Sequence, residues 1–184
     1  LTNVEVNRAN NKFNGIIKSV DFTEDELKAM YGELKLCEYV DGTLVSFYTS
    51  DNSHIVLKNK ELMVERSHGH VLVGGQNYFL NDNIISSTTY MTGVFNSQII
   101  VGNTSMNKLT SNLRNALNVQ KTNGQRMYVE IDGEYKLLSI PSVYEIGMNY
   151  TKWLYKFNDV TIEVVTYTTS DDNSLVTEFN ASQP

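Results

Sequence analysis

The chain is poor in the residues that fix a small fold covalently or by kinks, with one cysteine and two prolines in 184 residues, and it has a single tryptophan. One cysteine, Cys37, makes no internal disulfide, so the fold must rest on packing, and a reducing, cytoplasmic location is expected. Cys37 sits in LKLCEYV, an apolar strand pattern with no histidine nearby, and reads as a small buried hydrophobe rather than a nucleophile. No apolar run approaches the roughly 18 residues of a membrane helix, so a membrane partner is not expected. No charged-then-apolar leader opens the sequence, and Leu1 stands first, so a processed or excised chain is expected. Positive charge is thin: 15 Lys and Arg against 21 Asp and Glu, net −6. The basic residues are scattered singly, as at Arg8, Lys12, Lys58, Arg66, Arg114 and Lys152. A phosphate backbone needs a clustered basic face, so nucleic acid is not expected as a partner.

Catalytic signatures are also missing. Neither GxGxxG nor a P-loop occurs, and Val73-Gly74-Gly75-Gln76 is a turn with no helix behind it to cradle a phosphate. Only three histidines are present, none beside a strand-turn-helix elbow, so no triad is signalled. His68 and His70 stand two apart, on one face of a strand, and could begin a metal site. No third ligand is signalled, so no metal and no cofactor are expected.

What is present is an alternating pattern. Hydrophobic residues make up 41% and charged residues 20%, ordinary for a globular domain, and the length suits one domain over 1–184. Residues 1–34 read as an N-terminal arm and a helix. Thr23 followed by Glu24, Asp25 and Glu26 forms a capping box, with Leu27, Met30, Tyr31 and Leu34 at helical spacing and Gly32 to end it. From Lys35 the period is two. KLCEYV and TLVSFYT flank Asp41-Gly42; HIVLK and ELMVER flank Asn59-Lys60; RMYVEI and EYKLLSI flank Asp132-Gly133. Strands are also expected at His70 to Val73, Asn77 to Leu80, Ile84 to Tyr90 and Val94 to Val101. Beyond Pro141 come SVYEIGMNY, KWLYKF, VTIEVVTYTT after Asn158-Asp159, and SLVTEF. Residues 102–124 are rich in Asn, Ser and Thr and read as irregular with a helical turn. The expected fold is therefore mainly β, an antiparallel two-sheet sandwich with one short N-terminal helix.

The strand aromatics Tyr128, Tyr135, Tyr144, Tyr150, Trp153 and Tyr155 have two readings. They could line a sugar platform, because aromatic faces pack on sugar rings, or they could fill the sandwich core. Glu130, Glu134 and Glu145 could reach one face, which spacing alone does not decide.

Three stretches carry a family resemblance: VFNSQIIVGNTSMNKLTSNLRNALN, NGQRMYVEIDGEYKLLSIPS, and YEIGMNYTKWLYKFNDVTIEVVTYTTSDD. Together they resemble the N-terminal β-sandwich of the cellobiose-phosphorylase-like glycoside phosphorylases, the glycosyltransferase 36 group within glycoside hydrolase family 94. The resemblance implies a galactose-mutarotase-like super-sandwich that precedes an (α/α)6 catalytic domain of the same protein. That domain would cleave β-glucosides with inorganic phosphate as co-substrate, the acid protonating the leaving oxygen while phosphate attacks the opposite face. The sandwich itself would be non-catalytic, with carbohydrate as a partner and a homodimer as one possible assembly. A free-standing carbohydrate-binding or assembly module is the alternative. Substrate-contacting candidates are Gln125 and Arg126 at a turn, with Glu145, Tyr150 and Trp153 on the strands that follow. Shorter relatives carry an Arg-His pair before the glycine of the aligned strand, whereas here Glu145 and Ile146 precede Gly147.

Overall fold

The computed structural model describes residues 15–57, 69–73, 85–91, 93–94, 98–101, 127–169 and 174–182. The capping box forms as its residue types require. Helix α1 (Glu24–Tyr31) starts behind Thr23, whose hydroxyl accepts from the Glu26 amide while the Glu26 carboxylate accepts from the Thr23 amide. Gly32 closes the helix at φ 74, where a side chain would be strained.

The strands in chain order are β1 (Lys35–Val40), β2 (Thr43–Tyr48), β3 (His54–Leu57), β4 (Gly69–Val73), β5 (Ile85–Tyr90) and β6 (Gln98–Val101). They continue with β7 (Tyr128–Ile131), β8 (Glu134–Leu137), β9 (Val143–Gly147), β10 (Tyr150–Phe157), β11 (Val160–Thr168) and β12 (Leu175–Ala181). Asp41 and Gly42, and again Asp132 and Gly133, all hold positive φ, the type I′ geometry that closes a two-residue hairpin. All described pairings between strands are antiparallel.

One seven-stranded sheet in the order β1-β2-β3-β9-β10-β11-β12 forms the main layer. The three-stranded sheet β4-β5-β6 and the hairpin β7-β8 lie against one of its faces. Thr89 of β5 joins the layers by hydrogen bonds to the Tyr144 hydroxyl (3.1 Å) and the Thr151 hydroxyl (2.8 Å). The core between the layers gathers Val56, Met91, Val94, Leu138, Tyr144, Trp153, Tyr155 and Val164, with Met127, Val129 and Ile131 of the hairpin leaning on it. The other face of the main sheet is covered by α1. Leu27 packs there on Phe47, Ile55, Leu57, Val143 and Leu154. The protein is thus an antiparallel β-sandwich with one helix among the described residues, as its alternating pattern requires.

One expected pairing does not form. HIVL is strand β3, but both its edges are taken, by β2 and β9, so it cannot make a hairpin with the 61–66 stretch. Val143–Ile146 supplies a register in which Val56 meets Tyr144 and Leu57 meets Val143, and this long-range match displaces the local one. The 61–66 stretch, the expected strand at 77–80 and residues 102–124 lie outside the described residues.

Candidate functional site

The β9–β10 hairpin places the candidate residues. Its two-residue turn, Met148-Asn149, sets Gly147 opposite Tyr150 and Glu145 opposite Lys152. Glu145 and Lys152 therefore point to the helix-covered face, and Tyr144 and Trp153 to the inter-layer core. Glu145 is 5% exposed. Its carboxylate accepts from the Tyr150 hydroxyl at 2.5 Å and from the Tyr31 hydroxyl of α1 at 3.3 Å. The Lys152 ammonium stands 3.7 Å from it and 3.1 Å from Glu163 on β11. The Tyr150 hydroxyl also meets Ser53 Oγ at 3.0 Å. A buried carboxylate is costly unless it is paired and hydrogen-bonded, and these donors supply both.

The two phenols are held neutral. Burial, then the charge of Glu145, push the Tyr31 hydroxyl far above its ordinary range. Burial and the hydrogen bond to Glu145 push Tyr150 from 10.0 up to about 12. The sign of the linkage follows. A raised folded-state value gives Tyr150 a contribution that is whole below pH 10.0 and declines as pH rises toward about 12. Urea midpoints measured across that window should fall less steeply for Tyr150→Phe than for the unaltered chain. Equal slopes would remove Tyr150 from the coupling.

Gly147 has a steric reason to be glycine. A Cβ built there would lie 1.8 Å from the Tyr150 ring, which covers the Gly147 backbone across the strand pair. Gly147→Ala should expel the ring, break the Tyr150–Glu145 bond and cost about 1–3 kcal/mol. Chemical denaturation checks the cost. Restoration of the loss by pairing it with Tyr150→Ala checks the mechanism.

Of the expected site residues, Glu145 and Tyr150 are brought into direct contact. Trp153 is on the opposite face, 1% exposed, its ring 5.8 Å from that of Tyr144. Gln125, Arg126 and His68 lie outside the described residues, and His70 is on β4. The sequence reading missed Tyr31, Lys152, Glu163 and Ser53. For Lys152 a signal existed: a two-residue turn at Met148-Asn149 makes Glu145 and Lys152 partners by counting. Tyr31 was hidden by its role in the apolar repeat of α1. Among the described residues no group of three or more His, Cys, Asp or Glu is placed to hold a metal ion. No helix among them is long and apolar enough to cross a membrane. Chemically, the Glu145 cluster ties α1, β9, β10 and β11 together, and its carboxylate is already engaged by three cationic or hydroxyl donors.

Comparison with known proteins fixes the family. The family model of the glycoside phosphorylase supersandwich domain matches residues 31–183, which take in every strand described above. A 1,2-beta-oligoglucan phosphorylase of Listeria innocua serovar 6a is 43% identical over 134 residues. That stretch is 73% of this chain and 12% of the relative, so the chain spans a small part of the relative's length. The parentage that the resemblance implied and the sandwich that the strands build agree with both matches, and the chain belongs to the glycoside phosphorylase supersandwich domain family.

Proposed function

We propose that this chain is the non-catalytic sandwich domain of a glycoside phosphorylase whose separate (α/α)6 domain performs the chemistry. The parent would cleave a β-glucoside with inorganic phosphate and release a sugar 1-phosphate. The general acid and the phosphate site would both belong to the other domain. The observation that carries this reading is the family match across 31–183 together with 43% identity to a phosphorylase of far greater length. That relative is named for 1,2-beta-oligoglucan, so a β-1,2-linked oligoglucan is the substrate class proposed for the parent. The state of Glu145 supports the non-catalytic role, since its carboxylate is buried and hydrogen-bonded within the fold. A cytoplasmic parent is favoured by the single cysteine.

The test is direct. The 184-residue chain, mixed with β-1,2-glucooligosaccharides and phosphate, should release no sugar phosphate, whereas the full parent polypeptide should release it. Turnover by the chain alone would overturn the proposal. The alternative, a free-standing carbohydrate-binding module, needs accessible aromatic faces. Tyr144, Trp153 and Tyr155 are all within the core, which disfavours it. Saturable heat on calorimetric titration of the chain with glucans would restore it.

A further inference from the structure

The two edges of the seven-stranded sheet are built differently. The register of β1 against β2 slips between Lys35 and Glu38 and again between Glu38 and Tyr39, and Leu36 holds φ 49. Irregularities of this kind bend an edge strand and stop another from adding to it. At the other side β12 runs from Leu175 to Ala181 in unbroken register with β11. It carries no proline, no lysine and no bulge, and β11 is its one strand neighbour in the sheet among the described residues. A regular edge without such protection is a template for a further strand.

A cleft of about 630 Å³ opens beside that edge. Met127, Val129 and Ile131 form one wall, and Phe157, Ile162 and Phe179 the other. Phe179 is 46% exposed although its neighbours on that face are core residues. Side chains of a strand alternate between faces, so a strand added to β12 would set every second side chain in this cleft. The cleft is apolar at its base and acidic at its rim through Glu130 and Asp132, and among the described residues no basic side chain lines it. On the opposite face of β12, Glu178 accepts from the Tyr167 hydroxyl at 2.9 Å.

These charges choose among occupants. A second copy would bring the same acidic rim and the same net charge of −6. Antiparallel pairing about the middle of β12 would also bring Glu178 toward its own copy, and like charges across a strand pair are destabilising. We infer that β12 is a docking edge for an extended segment of the parent phosphorylase outside these 184 residues, with apolar side chains at alternate positions and a lysine or arginine facing Glu178. This rests on the parentage proposed above.

Amide hydrogen exchange tests it in the 184-residue chain and in the full parent. The β12 amides not bonded to β11 should exchange freely in the chain alone and at least ~10-fold more slowly in the parent. Phe179→Lys should abolish that slowing in the parent while leaving the β11-bonded amides of the chain alone unchanged. Equal rates in chain and parent would overturn the docking edge and leave the parentage standing. A native polypeptide that carries no further domain would overturn both. Sedimentation of the chain alone should show a monomer. A concentration-dependent dimer dissolved by Phe179→Lys would assign the edge to a second copy and overturn the inference.

Discussion

Trp153→Ala should lower the unfolding free energy of the chain by about 3–5 kcal/mol, the usual cost of emptying a large aromatic site in a core. A domain of this kind holds on the order of 5–15 kcal/mol in all, so the variant should be marginal or unfolded. The reason is position. Trp153 is 1% exposed on the inner face of β10, next to the central strand β9 of the seven, with Tyr144 beside it on β9 and Val164 opposite it on β11. Met91, Val94 and Leu138 are buried in the same close-packed core, which limits collapse into the space. Met148→Ala is the control. Met148 is 96% exposed at a hairpin tip, and its truncation should change stability by less than about 0.5 kcal/mol. Urea unfolding of both variants decides the matter. A Trp153→Ala midpoint close to the parent value would mean that the core is not organised around this ring. The same placement bears on sugar binding. Loss of saccharide affinity in Trp153→Ala would report unfolding, so a binding test has to use side chains that reach solvent.

The hairpins were legible because their information is local. Asp-Gly at 41–42 and 132–133 demands a turn of one hand, and the flanking alternation sets the register of β7 with β8 throughout and of β1 with β2 next to the turn. The same applied to α1, where Thr23 and Glu26 announce each other across three positions. What was not legible is non-local. Nothing in HIVL says that its second neighbour is VYEIG of β9 rather than the next apolar run, because the choice depends on which pair of faces can be covered together. Alternation also told which residues share a face but not what covers it. Trp153 and Tyr155 share a face with Tyr144, and only the layer carried by β5 and β7 makes that face a core instead of a platform. Glu145 shows the reverse case. What it does became visible only when α1 brought Tyr31 over the sheet.

Glu145→Ala should therefore act on stability, with a loss on the order of 3 kcal/mol. Removing the carboxylate leaves the Tyr31 hydroxyl without its acceptor in a half-buried site and takes one of two carboxylates from Lys152. The remaining partners soften the loss unevenly: Lys152 keeps Glu163, and Tyr150 keeps Ser53. Tyr31 has the most to lose, so the break should fall between α1 and the sheet. Glu145→Gln keeps an acceptor of nearly the same shape and should cost about 1 kcal/mol, mostly the charge-assisted part of the bonds. Tyr31→Phe should recover much of the loss when combined with Glu145→Ala, since the pair then leaves no orphaned hydroxyl. In the glycoside phosphorylase proposed as the parent, with a β-1,2-oligoglucan as its proposed substrate, the two roles open to Glu145 separate cleanly. A packing role predicts a lower melting temperature with KM for the oligoglucan unchanged in folded enzyme at low temperature. A sugar-contacting role predicts a raised KM in Glu145→Gln at unchanged stability. Two hydroxyl bonds and a lysine on one carboxylate that is 5% exposed favour the first result.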